Sequence, residues 1–255
     1  MSEHVSKIEE VVTRLRALEE KFHPDDGVRW FHRLYREVTE RLEKQLVAAK
    51  VRPTFLERLD VFFANAYFDA LAAAGNRDAE LADDFRYHAW KPLFEARRRR
   101  DVAPIQFALA GMNAHINYDL AVGIERTCVA IDARPARDTA QYDEYQSVND
   151  LMVESERTAE LWLLTGALAE LNRRFSPVDD VIAVWSLEHA RDAAWSRAEV
   201  LWALRDQESV EKTFLGVLDR STGLAGRALL TPVPFIEGRP EVVAPRPIAT
   251  AGAPG

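Results

Sequence analysis

Residues 104–130 read PIQFALAGMNAHINYDLAVGIERTCVA, the longest weakly charged stretch of the chain. Pro104 has the fixed φ that suits a first helical turn, and no further proline interrupts before Pro135. The stretch therefore predicts one long helix. At helical spacing Ala108, Gly111, His115, Asp119 and Val122 share a face. That face consists mostly of small side chains, and Gly111 and Ala114 admit close approach of neighbouring helices. A histidine and an acid four residues apart are thus expected to project together from the most enclosed part of the molecule. Leaving one member of such a buried pair without its partner costs roughly 3–5 kcal/mol, so the pair calls for an explanation.

Outward from this helix, the pattern is helical on both sides. Val5, Ile8, Val12, Leu15 and Phe22 form the apolar stripe of a first helix, ended by His23-Pro24-Asp25-Asp26-Gly27. A second carries Trp30, Phe31, Leu34, Val38 and Leu42. Pro53 opens a third, with Phe55, Leu59, Phe62, Phe63, Ala66 and Tyr67 as its face and Gly75-Asn76 as its stop. A short helix is expected over 78–87, broken by Trp90-Lys91-Pro92, and Arg97–Arg100 reads as a solvated basic turn. After Ala130 an irregular connector covers 132–137. Ser147 and Asp150 resemble a capping box for a helix reaching Phe175, and Ser176-Pro177 starts another that runs past Trp185 to about Arg205. A last helix is expected over 210–218. No segment alternates with period two, and no repeat of fixed length occurs. The fold class is all-α: a single-domain multi-helix bundle around a buried central helix, spanning residues 1–220, followed by an irregular Pro/Gly-rich tail over 221–255 that holds six of the twelve prolines.

Composition narrows the function classes. The 255 residues are 47% hydrophobic and 29% charged, with a net charge of −8, which disfavours nucleic acid as a partner. No apolar run approaches a membrane span, and MSEHVSKIEEVVTRL lacks the apolar centre of a secretory signal. Cys128 is the single cysteine, so no internal disulfide or Cys-based zinc cluster forms. These features point to a cytoplasmic protein with a small-molecule substrate, no nucleic-acid or membrane partner, and an oligomeric state that composition leaves open. There is no phosphate loop, no G-x-G-x-x-G, no G-x-S-x-G and no H-E-x-x-H, so no nucleotide or flavin is expected.

What remains is a set of short pairs. His115 and Asp119 are joined by Asp150 with Glu154, and by His189 with Asp192. Imidazole and carboxylate at these spacings chelate Zn²⁺, Mn²⁺ or Mg²⁺, and His115, Asp119, Asp150 and His189 are the candidate ligands of one divalent ion. Without a metal, His115 and Asp119 can act as an acid–base pair with the acid orienting the imidazole, and Asn113 and Asn117 flank them as further catalytic candidates. Asn149, Arg191, Trp195 and Trp185 are the candidates for substrate binding. The bland alternative is a hydrogen-bonded core pair. His23 and His32, near helix starts, read as surface or capping residues.

Four blocks, LDVFFANAY from Leu59, GMNAHINYDL from Gly111, Val148-Asn149-Asp150 and RDAAW from Arg191, occur in that order. Together they resemble a bacterial, largely actinobacterial, family of domains of unknown function, number 5995. The resemblance covers roughly residues 25–220. It implies a single helical domain and a shared site containing Asn113, His115, Asn117, Asp119, Asn149, Asp150, Arg191 and Trp195, and brings no reaction with it. His-x-x-x-Asp on a buried helix is also similar to one element of the all-α zinc phospholipase C and nuclease group, whose further histidine pairs this chain lacks. The expectation is an enzyme acting on a small organic metabolite by hydrolysis, cyclisation or elimination. The rivals are a non-catalytic helical ligand-binding or structural protein and a metal-dependent phosphoesterase.

Overall fold

The computed structural model describes residues 4–48, 54–149 and 187–232. The described elements are α1 (Ile8–Glu19), α2 (Val28–Ala48), α3 (Thr54–Ala74), α4 (Lys91–Ala96), α5 (Pro104–Ala114), a π-helical turn (His115–Asp119), α6 (Leu120–Ala130), α7 (Ala140–Gln146), α8 (Leu187–Leu204) and α9 (Glu208–Leu229). No strand occurs among the described residues, so the all-α class holds. No helix among them is long and apolar enough to cross a membrane.

The stretch from Pro104 to Ala130 is one continuous helical rod, and the rest of the bundle is laid around it. Its first half, α5, packs mainly on α2 and α9; its second half, α6, packs mainly on α3 and α8. The rod can be buried on so many sides because its surface is small. A β-carbon at Gly111 would overlap the Phe31 ring of α2, so only glycine permits this approach. Two apolar clusters follow from the two halves. Phe31, Tyr35, Tyr67, Phe68, Trp90, Phe94 and Phe107 surround α5, whereas Phe55, Leu59, Ile124, Tyr145, Trp195 and Leu218 lie toward α6. The turn at His115–Asp119 sits where the halves meet.

Several boundaries agree with their local signals. Gly75 has φ +69°, the left-handed conformation of a helix stop, directly after α3. Others differ for identifiable reasons. The helix expected over 78–87 is absent: the Asn76 side chain accepts from the backbone N–H of Asp78 and Ala79, an Asx turn that competes with helix. Pro92, expected to interrupt a helix, instead lies in the first turn of α4. The connector over 132–137 is irregular as expected, and α7, a helix not anticipated, follows it, capped by Thr139, whose hydroxyl accepts from Tyr142 N–H. Ser147 closes α7 by donating to the Glu144 carbonyl. The last helix runs on to Leu229 because Thr222, Gly223 and Gly226 pack on the body, so residues 221–229 are helix rather than tail. On α3, Phe62 faces solvent while Asp60 and Asn65 are buried.

Two residues expected at the surface are core. His32 is fully buried, its ring nitrogens bonded to Tyr67 Oη (2.9 Å) and to the Leu15 carbonyl (2.8 Å), and burial pushes its pKa down to about 4. Arg97 is not in a solvated turn: it is 5% exposed and grips Asp26 with two nitrogens, at 2.6 and 3.1 Å. Asp26 also accepts from Val28 N–H, which ties the start of α2 to the end of α4.

Candidate functional site

The π turn is closed by the Leu120 N–H bonding to the His115 carbonyl, five residues back. This wider turn sits in mid-rod, a placement frequent at functional sites. It buries His115 (2% exposed), Ile116 and Asp119 (5% exposed) together. His115 Nδ1 lies 3.0 Å from Asp119 Oδ2, and the same oxygen accepts the Trp90 indole N–H at 2.9 Å. When Oδ2 accepts from both neighbours, any carboxyl proton of Asp119 being on Oδ1, the imidazole carries its proton on Nδ1 and keeps a lone pair at Nε2. Trp90 is in turn held from α9. The Asp219 carboxylate accepts from the backbone N–H groups of His88 and Ala89, fixing the irregular segment from which the indole projects. Burial drives the Asp119 carboxyl well above its ordinary range, opposed by the Trp90 bond, and drives His115 well below its own. Both shifts favour the uncharged forms.

Five aromatic rings enclose the imidazole. Phe63 stacks on it at 3.4 Å and 10°, Tyr35 meets it edge-on at 4.5 Å, and Phe31, Trp90 and Tyr67 lie at 5.5, 5.7 and 6.1 Å. Of the five, Phe63 is the only one that is half-buried rather than buried. Inside this wall, His115 Nε2 has no hydrogen-bond partner among the described residues. Two further buried polar atoms nearby share that condition, Tyr35 Oη and Asp60 Oδ2. The Tyr35 phenol is pushed well above its ordinary pKa by burial and then by the Asp60 carboxyl, against the opposing Thr39 side chain, with Asp119 a smaller contributor. Asp60 itself is pushed up to about 7 by burial.

A family model described as a family of unknown function, DUF5995, matches residues 8–232. The chain belongs to this family. No curated protein and no solved structure matches it. The family match takes in every described element, α1 through α9, so the site lies wholly within the DUF5995 region.

The residues expected to form a single site fall into separate groups in this DUF5995 chain. Asn113 and Asn117 do not orient His115. Asn113 donates to the Thr222 carbonyl of α9, Asn117 donates to Asn113 Oδ1, and Arg197 of α8 donates to Asn117 Oδ1, a polar row that clasps the rod to α8 and α9. Arg191, Asn149 and Trp195 form another group. Arg191 donates to Asn149 Oδ1 and the Tyr145 carbonyl and lies 4.1 Å over the Tyr145 ring, while Trp195 packs on Tyr142, Tyr145 and Phe55. Asp150, Glu154 and Trp185 lie outside the described residues. His189 is exposed on α8, beside the Asp192 carboxylate that Arg137 holds at 2.6 Å, and so does not converge with buried His115. Among the described residues no group of three His, Cys, Asp or Glu side chains could hold a metal ion. His115 and Asp119 offer two donors of such a set.

The residues missed by sequence reasoning are Trp90, Tyr35, Asp60 and the aromatic wall. Asp60 carried a signal: at helical spacing it falls in line with Ala64, Tyr67 and Leu71, an acid within an apolar stripe.

Proposed function

We propose that the protein is an enzyme acting on a small organic metabolite, with His115 as the general base and acid and Asp119 as the group that orients it. The observation that carries this reading is the pairing of a fixed Nδ1 with an unpartnered Nε2. A structural histidine uses both nitrogens, as His32 does; His115 has one tied to Asp119 and the other aimed into an aromatic enclosure. That is the arrangement of a base held by an orienting carboxyl. Nε2 would take a proton from a substrate hydroxyl, a C–H or a water and return it to the leaving atom, which serves hydrolysis, cyclisation or elimination. Phe63, half-buried and stacked on the ring, is the wall that must swing aside to admit substrate. The net charge of −8 and the lone cysteine favour a cytoplasmic setting and a partner other than nucleic acid.

The test is untargeted mass spectrometry of a metabolite extract incubated with wild type, His115→Ala or Asp119→Asn, each checked for folding by thermal melt. The reading expects at least one compound consumed by wild type alone. It is wrong if folded His115→Ala changes the extract as wild type does. A metal-assisted version, including a phosphoesterase, needs donors beyond His115 and Asp119, and Asp150 is the residue to test. It requires one zinc, manganese or magnesium per chain in elemental analysis, lost in His115→Ala and in Asp150→Ala. The metal-free reading expects no such stoichiometric ion. A structural network is the rival favoured by the near-complete burial of the pair, and it predicts collapsed melting temperatures with no change in any metabolite.

A further inference from the structure

Asp60 is a carboxyl with an unexplained cost. It is 6% exposed, its Oδ2 has no partner, and among the described residues it forms no ion pair. An acid so placed is expensive unless something supplies positive charge or donors. Burial alone raises the Asp60 carboxyl, with no cation opposing the shift. Among the described residues the enclosed titratable groups without a cation partner include the acids Asp60 and Asp119. An anionic ligand would find no counter-charge in either.

The hydrogen-bonding sense of the unpartnered atoms narrows the ligand further. Asp60 Oδ2 accepts, His115 Nε2 accepts through its lone pair, and Tyr35 Oη can accept as well as donate. A carbonyl or carboxylate ligand would answer these acceptors with another acceptor. A primary ammonium group carries three N–H donors and no acceptor, and aromatic faces attract its charge. Tyr35 links the groups: its ring is 4.5 Å from His115 and 5.8 Å from Phe63, about one turn along α3 from Asp60, and the Asp60 carboxyl acts electrostatically on the Tyr35 phenol.

We propose that this centre takes a small primary amine in its ammonium form, with Asp60 as its counter-ion and Tyr35 Oη and His115 Nε2 as its other hydrogen-bond partners. The assignment names the substrate class of the site proposed above and rests on that reading. Asp60 is then the residue that selects charge, and the aromatic wall selects size.

The experiment is titration of the full chain at fixed ionic strength with isobutylammonium, followed by tryptophan fluorescence and melting temperature. Isobutyrate serves as the matched anion and tetramethylammonium as a cation without N–H donors. Saturable binding of isobutylammonium is expected, weakened at least tenfold in Asp60→Asn and in Tyr35→Phe, with little response to the other two probes. Equal binding of isobutyrate or tetramethylammonium overturns the proposal. So does binding that both variants retain, or no binding to wild type at 100-millimolar order concentrations. Tyr35→Phe keeps the test decisive if Asp60→Asn folds poorly. If the amine fails to bind while His115-dependent metabolite consumption holds, only the ligand class falls. If the amine binds and no such consumption exists, the catalytic reading falls and the cation site stands.

Discussion

Asp60→Asn gives the most quantitative test of the buried centre. In the folded chain burial raises the Asp60 pKa to about 7, from an ordinary 3.8. A carboxyl raised in this way contributes stability that is present below its unfolded value and lost as pH climbs through its folded value. Linkage over those two values gives a loss of about 4 kcal/mol by pH 8, of which about 3 kcal/mol develops between pH 5 and pH 8. The amide of the Asp60→Asn variant does not titrate, so the variant should lack this loss. His32 and His115, both depressed by burial, act in the opposite sense, losing stability as pH falls below the usual histidine range. They are present in both proteins and cancel in the comparison. Urea unfolding followed by tryptophan fluorescence at pH 5 and pH 8 measures the effect. The two proteins should be within about 1 kcal/mol at pH 5, where the wild-type carboxyl is protonated and hydrogen-bonds much as an amide does. At pH 8 the variant should be the more stable by about 3 kcal/mol. Parallel stabilities across the range would refute the reasoning, since Asp60 would then be solvated or paired.

Trp90→Phe removes the indole donor from Asp119 Oδ2 and leaves a small void in the first cluster, and should cost about 2–4 kcal/mol in urea unfolding. In the same variant any His115-dependent activity should fall, because the carboxyl that orients the imidazole loses its own anchor. Arg97→Ala strands the fully buried Asp26 and should destabilise by roughly 3–5 kcal/mol, whereas Arg100→Ala, whose side chain is mostly exposed, should cost less than about 1 kcal/mol. Equal costs for the two arginines would contradict the burial assigned to Arg97.

The long rod was legible because three independent signals agreed: a first-turn proline, a small-residue face, and no breaker for twenty-seven residues. The His115–Asp119 pair was legible for the same reason, since residues four apart meet whether the turn is α or π. The π turn itself leaves no compositional mark. Asn113 and Asn117 were misjudged by proximity in sequence, although residues two apart on a helix differ by about 200° in direction and face different neighbours. Trp90 could not be found by periodicity because it projects from the irregular segment between α3 and α4, and its position is set by Asp219, 129 residues away along the chain. His32 and Arg97 looked like surface residues because a single polar residue near a helix end gives no sign of whether a distant partner covers it. In each case the partner, Tyr67 or Asp26, is a long-range contact.

A general base at His115 requires a bare Nε2 facing the aromatic enclosure. Ring nitrogen NMR on protein labelled with ¹⁵N-histidine, with His115→Gln to assign the signal, measures this directly. At neutral pH the account predicts an uncharged imidazole protonated at Nδ1, hydrogen-bonded to Asp119, with Nε2 unprotonated. A proton found on Nε2 would contradict it: the ring would then accept from Asp119 as part of a structural network, and no base would face the enclosure.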